Sequence, residues 1–227
     1  MNKKLVAVLA GMAVVITLAN GCGSGSGTGR YSVPSDIING GGGGGTSGGG
    51  GGTTETNVES LILSAWEDFK YGAYSSAIAK FNDAISNANI KPEQKPEAYN
   101  GLGWSYLKSQ GASSAKAAFE TASTQNDEAR IGLAASLMND GKDGCRRAAE
   151  LLENMGLKET STVFTAKHPI GVSNAGAHAM LAWCYFIIGN DDGARNQIKF
   201  AISADGTSDS AVAQIYNSML AMGLTID

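Results

Sequence analysis

A recurring pattern of small and bulky residues runs through the last three-quarters of this chain and leaves it few ways to fold. Ala77, Phe81 and Ala84 form one instance, Ala115, Phe119 and Ala122 a second, and Ala194, Ile198 and Ala201 a third. A small residue, a bulky one four on and another small one three further share one face of an α-helix. Each instance follows a glycine (Gly72, Gly111, Gly189) that closes an earlier apolar stretch. The reference alanines Ala77, Ala115, Ala148 and Ala194 lie 38, 33 and 46 residues apart. Those spacings bracket a helical-hairpin period of about 34 residues. A unit this short cannot bury its apolar face alone, so the units must stack.

The periodicity predicts nine helices: 57–71 with 74–87, 96–109 with 113–124, 127–139 with 142–155, 174–188 with 191–204, and a closing helix over 209–222. Pro92, Pro96 and Pro169 fall between the apolar runs, where proline starts or ends helices. The one strand-prone stretch, 160–165, is short. The net charge is −4 with no basic block, which argues against a nucleic-acid footprint. Two histidines and three cysteines offer little for metal chemistry, and no HExxH, CxxC or GxSxG motif occurs. His168 and His178 have no carboxylate partner in recognisable spacing, so surface or packing roles are expected for both. No catalytic residue, metal or cofactor is expected.

The N-terminal part reads differently. Residues 1–21 form a signal peptide: Lys3 and Lys4 give a positive end, and Leu5 to Leu18 an apolar core too short to span a bilayer comfortably. Cys22 follows Gly21 directly and precedes a Gly/Ser run, an arrangement that resembles the bacterial lipobox. That resemblance implies lipidation of Cys22 and, with Gly23 next, delivery to the outer membrane. Ala19-Asn20-Gly21 also suits ordinary signal peptidase and simple secretion. Residues 22–56 form a tether holding about half of the chain's 31 glycines. About 35 such residues behave as a coil with an end-to-end distance near 30–35 Å. Within it, residues 31–38 are a spacer or a short docking peptide. The folded part spans 57–227.

The hairpin units resemble the tetratricopeptide repeat (TPR) family over nearly all of the chain after the tether. In the second unit Leu102-Gly103 and Tyr106 precede Ala115, Phe119 and Ala122. In the fourth, Leu181-Ala182 and Tyr185 precede Ala194, Ile198 and Ala201. The first has Ala65, Phe69, Ala77, Phe81 and Ala84, and the third is degenerate, with Leu133-Ala134, Leu137, Ala148 and Leu152. The resemblance implies an all-α fold: a right-handed superhelical stack of about four TPR-like hairpins plus a C-terminal capping helix. It also implies a concave groove lined by the first helix of each hairpin.

All three tryptophans fall at one register in those first helices: Trp66 after Ala65, Trp104 after Gly103, Trp183 after Ala182. The third unit has Ala135 at that register; three residues further in the four units lie Phe69, Leu107, Met138 and Phe186, with Lys70 and Lys108 beside them. Two outcomes follow: an exposed aromatic stripe that anchors a peptide or helix, or a tight superhelix that buries the rings. Residues 156–173, longer than a repeat turn and containing Lys167-His168-Pro169, lie over the groove or form a passive insertion. Cys145 and Cys184 sit on helices that should be neighbours, as a disulfide or as two buried small hydrophobes.

The leading expectation is therefore a membrane-tethered adaptor of the bacterial cell envelope. Its partners would be the membrane, through a lipid anchor, and a protein or peptide in the groove. The alternatives are a glycan- or small-ligand-binding lipoprotein and a self-associating structural protein.

Overall fold

The computed structural model describes residues 57–205 and 211–226, and every structural statement below concerns these. They form nine α-helices and no strand. These are α1 (Val58–Lys70), α2 (Tyr74–Ser86), α3 (Lys95–Ser109), α4 (Ala112–Ala122), α5 (Asp127–Leu137), α6 (Gly141–Asn154), α7 (Asn174–Ile188), α8 (Asp191–Asp205) and α9 (Ala211–Ala221). The signal peptide, Cys22 and the tether lie outside the described residues. Among those described, no helix is long and apolar enough to cross a membrane.

Local chemistry explains the helix boundaries. Asn57, Asn126 and Ser173 cap α1, α5 and α7, each accepting a backbone N–H of the first turn at 3.0 Å. Pro96 sits in the first turn of α3, where its missing N–H costs nothing. Gly111 and Gly189 join the helices of two hairpins at φ of 92° and 93°. A Cβ there would touch nothing, so the left-handed backbone alone requires glycine. The third hairpin is tighter than its periodicity suggests. A 3₁₀ turn over Met138–Asp140 links α5 to α6 directly. A Cβ on Gly144 would lie 2.0 Å from the Leu137 carbonyl oxygen, so only glycine lets the two helices approach there.

Each helix packs on the next, from α1 to α8, and α9 closes the array against α7 and α8. First helices also pack on one another, α1 on α3 and α3 on α5, and so build one common face, the inner face. Phenylalanines fill the gaps between hairpins. A Cβ at Gly101 would meet the Phe81 ring at 2.0 Å, and a Cβ at Gly103 or Gly132 would meet the Phe119 ring, which lies between them, at 2.5 or 2.3 Å. Both rings are fully buried, and burying each contributes about 1.5–3 kcal/mol. The small-then-bulky pattern is thus the packing code of the stack.

Candidate functional site

The tryptophan register does not produce an exposed stripe. Trp66, Trp104 and Trp183 are only 6%, 0% and 3% exposed, and Phe69, Leu107 and Met138 are buried with them. The expectation of indoles open to a partner is corrected by what covers them. Phe81 and Phe69 meet Trp66 edge-on at 5.4 and 5.3 Å, and Phe119 meets Trp104 edge-on at 5.3 Å. Trp183 lies 6.3 Å from the half-buried Phe186. Lys70 is exposed and paired with Glu67 at 3.5 Å, while Lys108 is half-buried.

The segment joining α6 to α7 crosses the inner face. Phe164 and Ile170 are buried and pin its two limbs; in the tip between them Thr165, Lys167 and Pro169 are exposed, while Ala166 and His168 are half-buried. From this tip His168 turns inward and meets the first helices of the first three hairpins. Its ring stacks on Trp66 of α1 at 3.7 Å with an interplanar angle of 4°. Its Nδ1 lies 2.7 Å from Glu128 Oε2 on α5, and its Nε2 lies 2.9 Å from Glu97 Oε1 on α3. Its backbone N–H donates to Glu128 Oε1 at 2.7 Å. Lys167 Nζ joins at 3.0 Å from Glu97 Oε1. Asn100 of α3 donates to Glu128 at 2.8 Å, and Asn126 to Glu97 at 3.4 Å.

This geometry corrects the reading of His168 as a residue without a carboxylate partner. A neutral imidazole has one N–H, yet two carboxylates accept here, so the ring is the imidazolium whenever both are ionised. The electrostatics agree. Burial works against charge at all three groups, but their mutual hydrogen bonds outweigh it. His168 is held above its ordinary value, and Glu97 and Glu128 below theirs. Among the described residues, three buried side-chain polar atoms have no hydrogen-bond partner: Asn100 Oδ1 and the indole nitrogens of Trp66 and Trp104.

Beside the tip lies a cavity of about 390 Å³. Ile62 and Leu63 supply its apolar wall, and Glu59, Glu93, Glu97, Lys91 and Lys167 its charges. Glu59, Glu97 and Glu128 are in register. Each stands seven residues before Trp66, Trp104 or Ala135, two turns earlier on the same helix face. That repeated spacing was the available signal for the site.

The other histidine is a packing residue. His178 is fully buried, with Nδ1 2.6 Å from Gln197 Oε1 and Nε2 3.0 Å from the Thr162 carbonyl oxygen. It helps fix the first limb of the crossing segment. Cys145 and Cys184 are buried free thiols, and Cys145 Sγ donates weakly to the Met138 carbonyl oxygen at 4.0 Å. Burial pushes the Cys184 thiol well up, and the Cys184 thiol draws Cys145 down. No cluster able to hold a metal ion occurs among the described residues.

No family model matches the sequence, and no curated protein matches it. The chain is similar to a solved structure, TTC0263, a thermophilic TPR protein of Thermus thermophilus. It has a TM-score of 0.52 at 19% identity, covering 73% of this chain and 83% of that one. At that identity the likeness speaks to fold alone. The fold is an all-helical stack of TPR-type hairpins.

Proposed function

We propose that this protein is an adaptor that binds an extended segment of another protein on its inner face and holds it near a membrane of the bacterial cell envelope. The observation that carries the binding half is the crossing segment: an irregular stretch of polypeptide lies on that face, gripped by side chains of α1, α3 and α5. Helical-hairpin stacks characteristically present such faces to partners. The tethering half rests on the sequence alone, on the signal peptide, Cys22 and the glycine-rich stretch. An anchored site meets partners on the same surface at raised effective concentration. A tryptophan platform for a glycan loses its basis, because the indoles are covered.

A photo-crosslinking residue tests the binding half. Leu63 lines the cavity and is 64% exposed, whereas Ile202 on α8 is 40% exposed. Crosslinker at Leu63 should trap a discrete envelope protein in cells, and at Ile202 should not. Equal trapping at both positions, or none at Leu63, would count against an inner-face adaptor.

A further inference from the structure

We infer that the Glu97–Glu128–Trp66 cleft is a recognition site for an arginine side chain of a partner peptide, and that Lys167 and His168 occupy it in cis as a built-in competitor. This deepens the adaptor reading and rests on it.

The cleft has the chemistry of a cation site. Two carboxylates from different helices converge on one ring, at 2.7 and 2.9 Å, above an indole face. A carboxylate pair over an aromatic plane suits a flat, delocalised cation that stacks and donates sideways. Imidazolium fills only part of it. It has two N–H groups, and Asn100, which holds Glu128 at 2.8 Å, keeps its Oδ1 buried without a partner. Guanidinium carries five N–H donors in one plane and serves more acceptors from the same stacked position.

The occupant is displaceable by construction. The limbs of the crossing segment are fixed independently: Phe164 N–H donates to Asn174 at 2.7 Å, and Ile170 and Val172 are buried. Lifting the tip therefore breaks the Lys167 and His168 interactions and the Ala166 packing contact, while the buried Phe164, Ile170 and Val172 stay seated. Lifting also removes Lys167 from the cavity, leaving Glu59, Glu93 and Glu97 against Lys91. A basic peptide laid along α3 toward α1 would thus meet a more acidic surface with an apolar wall at Ile62 and Leu63.

The experiment uses the full chain in neutral detergent and three synthetic peptides. One copies residues 165–171, one replaces its histidine by arginine, and one replaces its lysine and histidine by alanine. Binding is followed by calorimetry to the Lys167→Ala/His168→Ala variant and to the unmodified chain. The variant should bind the arginine peptide most tightly and at least tenfold better than the alanine peptide. The unmodified chain should bind it at least tenfold more weakly than the variant does, because the tip competes at high effective concentration. Equal binding of arginine and alanine peptides, or of variant and unmodified chain, overturns the inference. Should the variant not fold, the unmodified chain decides: millimolar arginine peptide must shift the His168 ring resonances, and unshifted resonances refute the site. Failure here together with a retained Leu63 crosslink would remove the arginine site and leave the adaptor reading standing.

Discussion

His168→Ala is the most informative single change in this fold. It removes both ring hydrogen bonds and the stack on Trp66. Glu128, whose side chain is 5% exposed, then keeps a buried charge with only Asn100 and a backbone N–H to meet it. Stripping the partner from a fully buried ion pair costs about 3–5 kcal/mol. The surviving hydrogen bonds, and the one-fifth exposure of Glu97, pull that figure down. Losing the stack adds about 0.5–1.5 kcal/mol. The net expectation is a loss of about 2–4 kcal/mol in urea unfolding of the full chain. His168→Phe should recover the stacking part only. The double change with Glu128→Ala should show a coupling of about 1–3 kcal/mol, since the two side chains act as one unit.

The contribution has a defined pH window. His168 is raised above 6.5, so its share is complete below that value and fades as pH climbs through the raised one. Glu97 and Glu128 are lowered from 4.5, so their share is complete above that value and fades as pH falls through the lowered ones. The gap between the unmodified chain and His168→Ala should be widest between about pH 4.5 and 6.5 and narrow on both sides. A change below about 0.5 kcal/mol, or a gap flat from pH 4 to pH 10, would refute the reasoning.

Other perturbations read other parts of the account. Gly132→Ala places a Cβ 2.3 Å from the Phe119 ring. Overpacking of about 1–3 kcal/mol should exceed the roughly 1 kcal/mol gain in helix propensity and lower the urea midpoint. Cys145 and Cys184 should form a disulfide when oxidised glutathione is supplied, read as the loss of two hydrogens in the intact mass; two alkylatable thiols after that treatment would exclude it. Mass spectrometry of the mature N-terminus should find an acylated Cys22, and an unmodified end at that position would remove the membrane anchor.

The helices were readable because packing in a hairpin stack is written locally. The interval from Ala115 to Phe119 to Ala122 reports a face, and Gly111 reports a turn. The surroundings of that face were not readable in the same way. Periodicity turned Trp66 and Trp104 toward the inner side, but it carries no information on what covers them. Trp66 is covered by Phe81 of the adjacent helix and by a histidine about a hundred residues downstream. The His168 site had no local motif because its carboxylates lie 71 and 40 residues away. Stacking alone brings Glu97 and Glu128 together, and the crossing segment then delivers the ring. The register of Glu59, Glu97 and Glu128 was legible in principle. It stands out poorly because a single acid in a helix's first turn is ordinary dipole chemistry. The tightness of the third hairpin is hidden for a related reason: Gly144 resembles a weak helix residue until the Leu137 carbonyl is seen against it.

The protonation state of His168 tests the central claim most directly. In the full chain near pH 7, where an unperturbed imidazole is mostly neutral, nitrogen-detected NMR of the side chain should show both ring nitrogens carrying protons protected from exchange. Its titration should run above 6.5. A neutral ring with one protonated nitrogen and an ordinary midpoint would mean that the tip does not sit between Glu97 and Glu128, and that the inner face is not held by the chain's own segment.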